Sequence, residues 1–170
     1  MPLWLIGMMG AGKSTLGRII ADRKGWKFID TDEVVMEAAG RDISELFATE
    51  GEAAFRSREC DAVDSISSHP GAVVATGGGV VLRPKNVDTM RRTGLIFWLQ
   101  AEPATLAARV ASEGKRTSRP LIFEDDVEQT LRGILDDRQG AYREAADFAI
   151  STDLLSPEEA ADLVEALWHD

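Results

Sequence analysis

One cysteine, Cys60, stands alone in 170 residues, which excludes an internal disulfide and makes a reducing cytoplasm the expected setting. Within a helical pattern it reads as a packing residue rather than a nucleophile. Histidine is almost as scarce. His69 adjoins Pro70 and His169 the C-terminus, and neither has a partner at metal-ligand spacing, so both read as surface residues. No apolar run approaches the ~20 residues that cross a bilayer. The first apolar run opens at residue 3, so no signal or transit peptide is expected. Positive charge is also in short supply: 19 Lys and Arg face 29 Asp and Glu, a net charge of −10 that argues against nucleic acid and anionic membranes as partners. A small anionic ligand is still compatible with that balance if the cations are gathered locally. Low-complexity tracts, internal repeats and linkers are all missing, so the 170 residues are expected to form one domain with a proper core.

What the chain does contain is decisive near its start. Residues 7–14 read Gly-Met-Met-Gly-Ala-Gly-Lys-Ser, which satisfies G-x-x-x-x-G-K-[ST] with Gly7, Gly12, Lys13 and Ser14. An apolar run at 3–6 precedes it and a helical pattern at 13–24 follows, the strand–loop–helix setting this phosphate-binding loop requires. The amides of Gly10, Ala11, Gly12, Lys13, Ser14 and Thr15 can cradle phosphates at a helix N-terminus. Lys13 can reach the β- and γ-phosphates of a nucleotide, and the Ser14 hydroxyl can ligate Mg²⁺.

Further short apolar runs at 28–29, 72–75, 95–99 and 148–150 alternate with 3.6-residue patterns at 32–68, 85–93, 103–112, 125–145 and 157–168. This alternation predicts a three-layer α/β/α fold around a five-stranded parallel sheet. Two stretches exceed the plain alternation. Residues 32–68 hold several helices broken near Gly40 and Gly51, and 113–124 form a basic loop with Lys115, Arg116 and Arg119. Ligands of open α/β sheets bind beyond the C-terminal strand ends, so the first stretch suits a second-substrate region and the second a lid.

Asp30-Thr31-Asp32 follows the second apolar run, where one carboxylate can orient Mg²⁺ waters and the other a substrate hydroxyl, unless either is only a helix N-cap. Arg56 and Glu59 are three apart on a helix, so Glu59 can hold the guanidinium as a bidentate carboxylate receptor; an incidental ion pair on a solvated face is the bland alternative. Arg58 reads as surface. Thr76 is followed by Gly77-Gly78-Gly79, three glycines that permit close approach of the backbone to a ligand. Arg109 lies on the helix before the basic loop, where it can stack on adenine. Tyr142-Arg143 ends the 125–145 pattern and can point another cation at the site.

Taken in order, these elements resemble the shikimate kinase family across essentially the whole chain. The resemblance rests on the loop at 7–15, Asp30-Thr31-Asp32, Ile43-Ser44-Glu45-Leu46-Phe47, the 51–59 segment, the triple glycine, Arg119-Pro120-Leu121 and Ala141-Tyr142-Arg143. It implies an ATP- and Mg²⁺-dependent kinase acting on the shikimate 3-hydroxyl. Lys13, Asp32 and Arg119 would be catalytic. Asp32, Phe47, Phe55, Arg56, Gly77, Gly78, Gly79 and Arg143 would bind shikimate, with Arg56 and Arg143 on its carboxylate. Ser14 would ligate Mg²⁺ directly and Asp30 through water. Arg109 and Arg119 would join the loop in binding ATP. A monomer is expected.

Two other readings compete: a kinase of another carboxylated polyol such as gluconate, and a catalytically silent binding module. Replacing Asp32 with Ala is expected to abolish phosphoryl transfer while nucleotide binding persists. Turnover and fluorescent-nucleotide titration together check this, and near-normal turnover would remove Asp32 from its assigned role.

Overall fold

A computed structural model describes residues 1–112 and 126–168. Five short strands build its sheet: β1 (Leu3–Ile6), β2 (Lys27–Asp30), β3 (Ala72–Ala75), β4 (Leu95–Gln100) and β5 (Phe148–Ser151). All neighbours are parallel and the order is β2-β3-β1-β4-β5. β1 and β3 are buried throughout, which is why they read as unbroken apolar runs instead of alternating ones.

The helices are α1 (Lys13–Lys24), α2 (Thr31–Ala39), α3 (Ile43–Ile66), α4 (Pro84–Thr93), α5 (Pro103–Ser112), α6 (Val127–Ala145) and α7 (Pro157–Trp168). Their layering follows from handedness. The step from β1 through α1 to β2 runs one way along the sheet; the steps from β2 to β3, β3 to β4 and β4 to β5 run the other way. Right-handed crossovers therefore put α1 on one face and α3, α4 and α6 on the other. The packing agrees: α1 meets α7, α3 meets α4, and α6 meets β4.

The stretch between β2 and β3 holds two helices. Gly40 ends α2 at φ 65°, and Gly51, at φ 81° and ψ 172°, breaks the helical path inside α3. α2 and α3 close over a small core of their own, made by Val35, Leu46, Phe55 and Ala62. The main core lies on the sheet, where Trp4, Phe97 and Tyr142 are its largest fully buried side chains. The expected lid at 113–124, with Lys115, Arg116 and Arg119, lies outside the described residues, as does His169. His69 is exposed and Cys60 half-buried.

Helix starts carry their own local chemistry. Pro84 and Pro103 open α4 and α5, where a missing N–H costs nothing. At α7, Glu159 N–H donates to Ser156 Oγ at 3.2 Å and Ser156 N–H donates to Glu159 Oε2 at 2.8 Å, a reciprocal capping box. Ser156→Ala is expected to lower stability by about 1 kcal/mol, read from the midpoint of urea unfolding, with activity unchanged.

Candidate active site

The site occupies the C-terminal edge of the sheet, where Ile6, Asp30, Ala75, Gln100 and Ser151 end their strands. Two adjacent strands supply its halves. β1 runs into the phosphate loop and β3 into the glycine turn, at the point where the strand order reverses.

In the phosphate loop, Gly7, Gly10 and Gly12 take φ of 139°, 78° and 91°, values that L side chains rarely adopt. Gly12 at the N-cap turns the chain so that α1 begins at Lys13 with its first amides facing the loop. Lys13 Nζ donates to the carbonyls of Gly7 and Met8, both at 2.8 Å, so the ammonium lies across the loop mouth. Ser14 Oγ donates to Asp30 Oδ2 at 3.1 Å. The other oxygen of Asp30 accepts from Asp32 N–H at 3.0 Å. Asp30 thus caps α2 and faces Ser14 at once, and the two readings of Asp30 are not rivals. A hydroxyl and a carboxylate beside a phosphate loop suit Mg²⁺, which takes one or two protein oxygens and completes its shell with water and phosphate.

The glycine turn is shaped by clearance. Gly77, Gly78 and Gly79 have no positive φ. A Cβ on Gly77 would fall 2.7 Å from Asp32 Oδ1 and 2.8 Å from Glu59 Oε1. One on Gly79 would fall 2.3 Å from both terminal nitrogens of Arg56. Side chains therefore come within contact distance of this backbone from α2 and α3, and only glycine leaves them room. Gly77 N–H donates to Thr31 Oγ1 at 2.9 Å, tying the ends of β2 and β3 together.

Arg56 and Glu59 form the pair that their spacing predicts. Arg56 Nη1 donates to Glu59 Oε2 at 2.9 Å, and Nη2 to Glu52 Oε1 at 3.2 Å. Glu59 is fully buried and Arg56 is 6% exposed, which rules out an incidental surface pair. Burial pushes the Glu59 carboxyl above its ordinary range, and Arg56, Arg138 and Arg83 only partly counter it. Arg56 loses some of its preference for charge to burial, but Glu59 and Glu52 more than restore it. Phe55 is buried and Phe47 half-buried, with ring centroids 4.8 Å apart, and the Arg56 guanidinium lies 5.2 Å from the Phe55 ring centre. Arg58 turns away to Glu50 at 2.8 Å.

The second guanidinium that the structure brings to the glycine turn is that of Arg138, not of Arg143. Arg138 Nη1 lies 3.7 Å from a Cβ on Gly78, and its charge acts on both Glu59 and Tyr142. Arg143 is exposed and lines a cavity of about 220 Å³ with Met8, Leu135, Gln139 and Asp153, away from the glycine turn. The reason is helical phase. Leu131, Arg138, Tyr142 and Ala145 follow the inward stripe of α6, and Arg143 stands one residue, about 100°, off it. Leu131, Tyr142 and Ala145 are the buried residues that define that stripe.

Arg109 reaches back from α5, donating to Thr152 Oγ1 at 2.9 Å, to the Thr152 carbonyl at 2.7 Å and to the Gly10 carbonyl at 3.4 Å. It braces the phosphate loop against the segment after β5. Arg119 lies outside the described residues.

A phosphate loop and a cation-lined recess sharing one sheet edge define a P-loop phosphotransferase with a small acidic acceptor. Residues 9–168 match the family model described as shikimate kinase. A shikimate kinase of Symbiobacterium thermophilum is 42% identical over 98% of this chain and 96% of its own length. One from Trichormus variabilis is 45% identical over 84% of this chain and 77% of its own length. A solved shikimate kinase from Acinetobacter baumannii, in complex with shikimate, superposes with a TM-score of 0.92 at 32% identity, covering 98% of this chain and 91% of that one. The chain belongs to the shikimate kinase family.

The buried pair yields a stability prediction. Arg56→Met leaves Glu59 buried without its main partner, and is expected to cost about 3 kcal/mol in urea unfolding at neutral pH. A carboxyl whose folded pKa is raised contributes most at low pH and loses that contribution as pH rises through the folded value. The variant's deficit should therefore shrink as pH falls and Glu59 takes up a proton. The double variant with Glu59→Leu should recover most of the loss, and a deficit unchanged in the double variant would show that the pair is not its source.

Proposed function

We propose that the protein transfers the γ-phosphoryl group of ATP to the 3-hydroxyl of shikimate, giving shikimate 3-phosphate and ADP. The observation that carries this reading is the convergence of Arg56, Arg138 and Asp32 on the glycine turn beside the phosphate loop. Two guanidiniums suit one carboxylate, and a carboxylate among them suits a hydroxyl. Arg56 and Arg138 hold the shikimate carboxylate, with Arg138 taking the place first assigned to Arg143. The backbone of Gly77, Gly78 and Gly79 approaches the ring closely, and Phe47 and Phe55 wall the recess.

Asp32 orients the hydroxyl and accepts its proton as the oxygen–phosphorus bond forms and the bond to the bridging β–γ oxygen breaks. The loop amides and Lys13 bind the phosphates and take up charge on the transferring group. Ser14 would hold Mg²⁺ directly and Asp30 through water; the ion supplies neutralisation of phosphate charge. Arg119 keeps the role of stabilising the phosphoryl group that the resemblance implies, and Arg109 that of flanking the nucleotide. The α2–α3 region serves as the acceptor-binding part of one domain. A cytoplasmic monomer belongs to the same reading: large exposed apolar side chains among the described residues are the scattered Met1, Leu82, Leu154 and Leu163.

ADP release measured with Mg-ATP, with and without shikimate, tests the proposal. Strong release with shikimate and none with gluconate or quinate is expected, and release indifferent to shikimate would overturn the substrate. Arg138→Ala should raise the KM for shikimate roughly 10- to 100-fold, as loss of a charged hydrogen-bonded contact does. Arg143→Ala should stay within about twofold, well under the size of one hydrogen bond. The reverse ranking would reinstate Arg143.

A further inference from the structure

Tyr142 is the single tyrosine of the chain and is fully buried, yet the transfer described above gives it no task. Its hydroxyl donates to the Gly78 carbonyl. The same oxygen lies 3.7 Å from Met8 Sδ in the phosphate loop, and Arg138, one helical turn earlier, brings Nη1 to 3.7 Å from the place of a Cβ on Gly78, a point the Tyr142 oxygen approaches at 3.6 Å. Its ring stacks on Trp98 of β4, with centroids 5.6 Å apart and planes inclined by 22°. The glycine turn, α6, the phosphate loop and β4 therefore meet around one side chain.

The hydroxyl has one proton, and it goes to Gly78. Its lone pairs are then left facing the Arg138 guanidinium, a donor that comes to the same glycine. The Gly78 carbonyl belongs to the same planar trans peptide as the Gly79 N–H, which points the opposite way. Holding the carbonyl thus fixes the direction of the Gly79 N–H, and Gly79 is the residue against which Arg56 lies. Burial pushes the phenol up to about 12, so it stays protonated and remains a donor at every working pH. It is unsuited to proton transfer and well suited to alignment.

We propose that Tyr142 is a positioning residue for acceptor binding: its hydroxyl locks the Arg138 guanidinium and the Gly78–Gly79 peptide into one arrangement, and so aligns the carboxylate-binding half of the site. The inference rests on the substrate reading above and adds a determinant of acceptor affinity that touches neither substrate directly.

Tyr142→Phe keeps the ring on Trp98 and removes only the hydroxyl. The KM for shikimate is expected to rise roughly three- to tenfold, the size of one hydrogen bond, with kcat and the KM for ATP within about twofold. In an Arg138→Met background the same substitution should add little, because most of its effect passes through Arg138. Unchanged KM for shikimate in Tyr142→Phe, a fall in kcat alone, or full additivity with Arg138→Met would each overturn the proposal. So would a loss of all three kinetic constants in step with a lowered unfolding temperature, which would mark Tyr142 as packing alone. Wild-type protein in the same assay separates the failures. A wild type without shikimate-dependent turnover overturns the substrate reading and this inference together, whereas an active wild type beside an unaltered Tyr142→Phe overturns this inference only.

Discussion

The buried ion pair between Arg56 and Glu59 constrains everything around it. Two charges leave water only if further partners replace the lost hydration. Glu52 supplies one such partner to Arg56, and Arg138 and Arg83 bring positive charge toward Glu59. The pair also needs space, and Gly79 and Gly77 provide it by lacking the atoms that would meet Arg56 at 2.3 Å and Glu59 at 2.8 Å. The triple glycine, the acid in α3 and the arginines on two helices are consequences of one packing problem: how to keep a cation fixed, charged and reachable at a sheet edge. A surface arginine would meet the same ligand with a large loss of rotamer freedom. One already held on two carboxylates has given up that freedom during folding.

Topology then decides which halves can cooperate. β1 and β3 are neighbours in space although β2 and three helices intervene in sequence, so the phosphate loop and the glycine turn emerge side by side. Thr31 fastens β2 to the turn, and Asp30, at the end of β2, faces Ser14. The acceptor side and the nucleotide side are thus joined through short polar links at strand ends. The α2–α3 region has a core of its own and joins the main core through Val63 and Ile66 of α3 and through α4.

Much of this was legible in the sequence because the signals were local. The five apolar runs became the five strands, and the prolines at 84 and 103 and the Ser156 cap marked helix starts within a residue. The phosphate loop and the Arg56–Glu59 spacing carry their geometry in short windows. What was missed needed relations that a window does not hold. The purpose of Gly77 to Gly79 was read as room for a ligand, whereas the nearest claimants to that room are the chain's own Asp32, Glu59 and Arg56. Arg143 was assigned from its place beside Tyr142 and Arg138 was passed over, but adjacency on a helix is a turn of about 100°, and the inward stripe of α6 brings Arg138 to the glycine turn. Arg109 was read as open to a base, and its bonds to Thr152 across the molecule could not be inferred from its neighbours.

The charge balance of the recess bears on what it can hold. Arg56 and Arg138 bring two guanidiniums to the recess, and Glu59 and Glu52, both bonded to Arg56, offset much of their charge. A single carboxylate adds little to that balance, whereas a dianion would be undercompensated beside Glu59 and Asp32. Asp32 adds a negative charge on the side facing the glycine turn, which suits a hydroxyl and repels a phosphate once one has been placed there. On a protein of net charge −10, the same arrangement keeps the attraction short-ranged. On the proposed reading, recognition depends on contact with two held guanidiniums rather than on a field that would draw in any anion, and that is the selectivity a small acidic alcohol requires.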